Sequence, residues 1–183
     1  MGDIHAIIFL FPIIALVLTS ALYMHFLHTV TDKKVFTHFI FITIAVGFIL
    51  NFAWEVIQIP LYKGSSFTTS HIAFCALGSL ADVIMVLLLY LMFAFIFKNA
   101  FWITNVRWQR ILLLMLTGTI GAILSEMRHL SLGSWAYADS MPIIPVVKVG
   151  ISPVLQFMLL PLLTYCISVY FALVMKRRKE NTF

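Results

Sequence analysis

Five long apolar runs constrain this chain more than any other feature. They lie at roughly Ile4 to His28, Thr37 to Ile59, Ile72 to Phe97, Ile111 to Met127 and Val149 to Met175. Each is long enough to cross a hydrocarbon core of about 30 Å at about 1.5 Å of rise per residue. A segment in hydrocarbon must satisfy its backbone N–H and C=O groups internally, so runs of this length predict helices. With 62% hydrophobic residues, 10% charged residues and a mean hydropathy of +1.05, the expected fold is all-α, a polytopic membrane helical bundle of about five transmembrane helices. No hydrophilic stretch within the 183 residues is long enough for a separate soluble domain, so 1–183 reads as one transmembrane domain.

The fourth run is the shortest and shades directly into Arg128 and His129. The start Met1-Gly2-Asp3 carries an acid and no basic region, so the first run is expected to be a retained helix, not a cleaved signal peptide. Ala6 departs from the myristoylation pattern.

Orientation follows from counting Lys and Arg in alternate connections. Lys33, Lys34, Lys98, Arg107, Arg110, Lys176, Arg177, Arg178 and Lys179 fall on one side, against Lys63, Arg128 and Lys148 on the other. The expected topology has the N-terminus outside and the C-terminus cytoplasmic. The net charge of +5 is then mostly a topology signal, and basic residues dispersed among short loops argue for no nucleic-acid partner. Tyr62, Trp102, Trp108, Trp135 and Tyr137 lie near span ends, where an aromatic belt is expected. A bacterial inner (cytoplasmic) membrane fits a short multi-span chain without a targeting segment, and an organelle or endoplasmic-reticulum membrane stays open. Cys75 and Cys166 are expected to lie at different depths, unpaired and outside any metal or redox motif.

Within the apolar runs stand three acids, Glu55, Asp82 and Glu126. A carboxyl group in hydrocarbon is costly, so each marks a candidate functional position. Asn51, Glu55 and Gln58 are spaced i, i+4, i+7 on one helix face with Trp54 alongside, and Pro60 gives that helix a reason to stop. Ser70, His71, Cys75, Ser79 and Asp82 share nearly one face of the third run, with Asp82 ~16 Å along the axis from His71. In the fourth run Gly118, Gly121, Ser125 and His129 form a stripe with Glu126 on its shoulder, and the small residues allow close helix approach. In the expected topology Glu55, Gln58, His71, Ser125, Glu126 and His129 all reach the outer leaflet or its interface. The connection 130–148, with Trp135, Tyr137, Asp139, Pro142 and Pro145, is too apolar for a plain solvated loop and reads as a lid over the mouth of the bundle. Pro153, Gln156 and Pro161 in the fifth run are candidates to kink it and free backbone carbonyls.

Each polar position has a functional and a bland reading. Glu55 is either a buried carboxyl acting as a proton donor or acceptor beside Asn51 or Gln58, or a neutral or paired group that locks two helices. Asp82 is either part of a proton relay or a partner for helix-two polar groups. Glu126-Met127-Arg128-His129 has the Glu-x-x-His spacing of di-iron bundles, but a second copy is lacking; an interfacial Glu and Arg pair is the plainer expectation, and no metal is assigned. His25, His28 and His38 lie near the other end, where paired histidines could hold haem or where they are simply interfacial. No cofactor is expected. The seventeen Phe residues need none to explain them.

The stretch Asn51-Phe52-Ala53-Trp54-Glu55 resembles a motif of the small integral-membrane terpene cyclases of meroterpenoid pathways, in which an intramembrane Asn, Trp and Glu group is associated with protonating an isoprenoid. The resemblance covers about a dozen residues and implies Glu55 as the acid. Those enzymes are longer, with about seven spans, and their second acidic residue has no assigned counterpart here. Asp82 and Glu126 are candidates by chemistry alone.

The expected function is therefore an integral membrane enzyme acting on a lipid-like or isoprenoid substrate by intramembrane acid–base chemistry, of cyclisation or isomerisation type. Glu55, Asp82 and Glu126 are the candidate catalytic groups. Asn51, Trp54, Gln58, His71, His129, Trp135, Tyr137 and Gln156 are the candidate substrate-binding groups, with the bilayer as surroundings and a homo-oligomer left open. The alternatives are a proton- or cation-coupled transporter or channel component, or a non-catalytic subunit binding haem, quinone or a partner protein.

Overall fold

The computed structural model describes residues 10–180, with side chains described for 11–172. The chain runs through α1 (Leu10–Thr29), α2 (Lys33–Gln58), α3 (Thr69–Ile96), α4 (Trp108–Ser131), a two-stranded antiparallel hairpin of β1 (Ile143–Ile144) and β2 (Val149–Gly150), and α5 (Ile151–Glu180). Among the described residues, five helices are long and apolar enough to cross a membrane. The expected start of the first span, at Ile4 to Phe9, lies outside the described residues.

Local chemistry sets the helix ends. Asp32 caps α2, its carboxylate accepting from the Val35 N–H at 3.0 Å. Pro60 sits in a single 3-10 turn, Ile59–Leu61, that ends the same helix as expected, and Tyr62 leaves it extended. Thr68 caps α3 through its hydroxyl to the His71 N–H. Helix α4 runs further than the hydropathy suggested: it takes in Arg128 and His129 and ends at Ser131, because charged residues at a helix end can reach polar surroundings while the backbone stays helical.

The helices form a row by packing. Helix α1 lies on α3, α2 packs between α3 and α5, and α4 packs on α5. One end of the row holds an aromatic core, with Phe36, Phe39, Tyr90, Trp102 and Tyr165 fully buried. Its polar atoms are satisfied: the Trp102 indole donates to the Tyr90 carbonyl at 3.3 Å, Tyr90 to the Ala100 carbonyl and Tyr165 to the Val86 carbonyl, both at 2.6 Å. Trp102 therefore departs from the expected interfacial belt; it is drawn inward by the loop after α3 and packs on Phe93, Phe97 and Tyr90. Trp108, by contrast, is exposed.

The contact of α4 with α5 depends on two missing groups. Pro161 lies inside α5 and has no N–H to offer the Phe157 carbonyl one turn earlier. That carbonyl oxygen faces Gly118 of α4, where an added Cβ would stand 2.0 Å from it. Only glycine allows the two backbones so close, with the Cα hydrogens against the freed oxygen. The buried face of α4 is accordingly Gly118, Ala122 and Glu126, at i, i+4, i+8. Gly121 and Ser125, placed in the stripe by spacing alone, are exposed instead, and Glu126 moves from its shoulder to its centre.

Candidate functional site

The polar groups gather at the end of the bundle opposite the aromatic core. Helix α2 contributes Asn51, Glu55 and Gln58, α3 contributes Asp82, and α5 contributes Ser152 and Gln156. The Gln156 side-chain nitrogen lies 3.1 Å from Asn51 Oδ1, 3.2 Å from Glu55 Oε1 and 3.0 Å from Asp82 Oδ2. Its Oε1 accepts from the Gln58 amide at 3.4 Å, and Gln58 Oε1 accepts from the Ser152 hydroxyl at 2.9 Å.

The direction of each amide in this network is set from one end. Asn51 donates its side-chain nitrogen to the Gly47 backbone carbonyl at 2.8 Å, an atom that can only accept. Asn51 Oδ1 must then turn toward Gln156, which must answer with its own nitrogen. Gln156 Oε1 consequently meets the Gln58 nitrogen, and Gln58 Oε1 meets Ser152.

A second group forms around Glu126. The Trp135 indole N–H donates to Glu126 Oε2 at 3.2 Å, and the Tyr137 hydroxyl donates to the same oxygen. His129 stacks on the Trp135 ring with centroids 4.2 Å apart, and its Nδ1 lies 3.3 Å from the Ser134 hydroxyl. Glu126 is not paired with Arg128, whose guanidinium lies over the Phe11 ring at 4.4 Å. Among the described residues none of Glu55, Asp82 and Glu126 has a basic partner; Lys63 and Asp139 pair at 3.8 Å on the exposed surface.

Residues 132–148 form a strap tied to the end of α2. The Lys63 N–H donates to the Ala136 carbonyl at 2.8 Å, and the Ala138 N–H to the Leu61 carbonyl at 2.9 Å, so Tyr62 and Tyr137 pair as an antiparallel bridge. The Ser140 hydroxyl adds a bond to the Pro60 carbonyl at 3.3 Å. Met141 is buried, with its sulfur against Gly150 of the hairpin. The strap is shorter than the 130–148 segment expected from the sequence, since Leu130 and Ser131 finish α4 and its far end is a hairpin.

Tyr62 joins the two groups. Its ring packs on Trp135 at 6.4 Å and on Tyr137 at 5.6 Å between centroids. Burial first, and then the charges of Glu126, Glu55, Tyr137 and Asp82, hold its phenol well above the usual tyrosine range. Burial and the bond to Glu126 raise Tyr137 likewise.

The sequence-derived candidates divide clearly. Asn51, Glu55, Gln58, Asp82 and Gln156 meet in one network, and Glu126, His129, Trp135 and Tyr137 in the other. Trp54 lies on the same turn as Glu55, and its indole nitrogen is buried with no hydrogen-bond partner among the described residues. His71 stays apart: its Nδ1 faces the Ser66 N–H at 3.3 Å and the Thr68 hydroxyl at 3.0 Å in the turn that starts α3. Tyr62 and Ser152 join the site without having been candidates; Ser152 is one helical turn before Gln156, a signal at hand in the spacing. Among the described residues no group of three or more His, Cys, Asp and Glu side chains is arranged to hold a metal, and both thiols are free. His25, from the histidine group near the other end, packs edge-on against Phe26 and Phe95. Comparison with known proteins finds no matching family model, no matching curated protein and no matching solved structure.

Proposed function

We propose that this chain is an integral membrane enzyme that moves protons on an apolar, lipid-like or isoprenoid substrate, by a reaction of cyclisation or isomerisation type. The observation that carries the reading is the gathering of Glu55, Asp82 and Glu126, from three helices, at one end of the bundle without a basic partner among the described residues. Carboxyl groups held this way serve proton transfer better than they serve helix pairing, because buried unpaired charges destabilise the bundle they would hold.

In the proposed orientation the N-terminus is outside, so the site lies toward the outer face of the membrane. Helices α2 and α4 both rest on α5, and the strap joins their ends. A substrate reaches the carboxyls laterally, from the bilayer between α2 and α4. Glu55 gives or takes the proton, with Asp82 and Glu126 completing the acid–base set. Trp54, Tyr62, Trp135 and Tyr137 line an aromatic surround whose ring faces stabilise cationic intermediates.

The test compares chromatographically resolved lipid extracts of membranes carrying wild-type protein and Glu55→Gln at matched levels. The expected result is a lipid species that depends on wild-type protein and is lost in the variant. Identical extracts from the two membranes would refute the proposal.

A further inference from the structure

We infer that Glu55 and Asp82 form one acid pair that holds a single proton between them, with Gln156 as the residue that locks them together. The inference follows from what meets at one nitrogen. The Gln156 side-chain nitrogen carries two hydrogens and has three oxygens within 3.0 to 3.2 Å: Asn51 Oδ1, Glu55 Oε1 and Asp82 Oδ2. Turning an amide over does not change this meeting, because the Gly47 carbonyl fixes Asn51, and Asn51 fixes Gln156.

The Gln58 amide is a further side-chain donor beside Glu55, and like Gln156 it is neutral, so the two carboxyls meet on uncharged amides. Among the described residues, the groups around the pair offer no cation. From α3, the Cys75 thiol donates to the Glu55 backbone carbonyl at 3.8 Å. From α5 come only the amide and hydroxyl of Gln156 and Ser152. Tyr62 and, across the site, Glu126 add a phenol and a third carboxyl. Two like carboxyls meeting at one amide nitrogen without a cation hold one proton in common.

A pair in this state is an acid and a base at once. This consequence, unlike the pairing itself, rests on the enzymatic reading above. The protonated carboxyl gives its hydrogen to one carbon of a substrate double bond, whose π electrons form the new C–H bond and leave a carbocation. The neighbouring carboxylate then removes a hydrogen from a carbon beside the cation, and the electrons of that C–H bond form a new double bond. The proton ends on the other carboxyl, and the product has the elemental composition of the substrate. Such an enzyme shifts double bonds or closes rings, and it consumes no water, reductant or net proton.

The pair is tested by infrared spectroscopy of the protein in lipid nanodiscs at neutral pH, without substrate. Wild-type protein should show a protonated-carboxyl C=O band that moves on exchange into deuterium oxide. The band should vanish in Glu55→Gln and in Asp82→Asn, because the carboxyl that remains no longer has a like group beside it to share a proton with. It should persist in Glu126→Gln and shift in Gln156→Leu. A wild-type spectrum without the band, a band that survives in both pair variants, or a band lost in Glu126→Gln would overturn the pairing. An unchanged band in Gln156→Leu would overturn the locking role. The enzymatic reading fails separately: the expected bands with no Glu55-dependent lipid leave the pair standing and remove its use, whereas a Glu55-dependent product carrying one deuterium from heavy water supports it.

Discussion

Gly118→Ala tests the backbone contact that places Glu126. The added methyl would stand 2.0 Å from the Phe157 oxygen and 2.9 Å from its carbonyl carbon. Both are backbone atoms of a helix, so no side-chain rotation relieves the overlap and α4 must move off α5. Overpacking costs typically 1–3 kcal/mol, and a backbone obstacle puts this case at the upper end, about 3 kcal/mol. Gly121→Ala is the matched control, one turn along the same helix with nothing within 4 Å of the new methyl. There the better helix propensity of alanine should add about 0.5–1 kcal/mol. Unfolding of the two variants in mixed micelles should therefore move in opposite directions, separated by roughly 4 kcal/mol. Glu126 lies ~12 Å along the axis from Gly118, so displacement of α4 should also loosen its bonds to Trp135 and Tyr137, read as a change in indole fluorescence. Equal stability of the two variants would refute the backbone contact.

Glu126→Gln keeps an acceptor oxygen for Trp135 and Tyr137 and should leave the strap resistant to protease, whereas Glu126→Leu should expose 132–148 to cleavage; equal cleavage would show that Glu126 does not hold it. Tyr62 and Tyr137 have phenols raised above the ordinary value of about 10. Their contribution to strap docking is thus complete below that pH and lost as pH rises toward the raised values, so proteolysis of the strap should begin above the usual tyrosine range and not before it. Gln156→Leu removes the donor shared by Asn51, Glu55 and Asp82 and should destabilise the bundle by about 2–3 kcal/mol in the same unfolding assay. Liposomes should show no proton flux with wild-type protein; a flux abolished by Asp82→Asn would favour a relay across the bilayer over an enzyme.

What could be read from the sequence was whatever depended on position along one helix. Asn51, Glu55 and Gln58 share a face because their spacing obliges them to, and Asp82 stands out because an acid in an apolar run is costly. The rotation of α4 was not legible, since Ala122 carries no mark of burial and the face chosen depends on the Phe157 carbonyl of another helix. Trp102 misled for a related reason: a tryptophan near a span end suits a belt or a core equally, and only the path of the loop decides. Tyr62 was hidden more deeply. Its place comes from an antiparallel bridge to a segment more than seventy residues later, and no periodicity near Pro60 announces it.

The strap has a consequence for how the protein can change. Helices α2 and α4 each rest on α5, and the span between their ends is set by hydrogen bonds among residues 60–63 and 136–140. Under the proposed function, the girth of a guest admitted from the membrane is governed by a short stretch at the bundle's rim. Lengthening or shortening that stretch would retune which molecules fit while leaving every membrane-spanning helix, and the carboxyls within them, untouched.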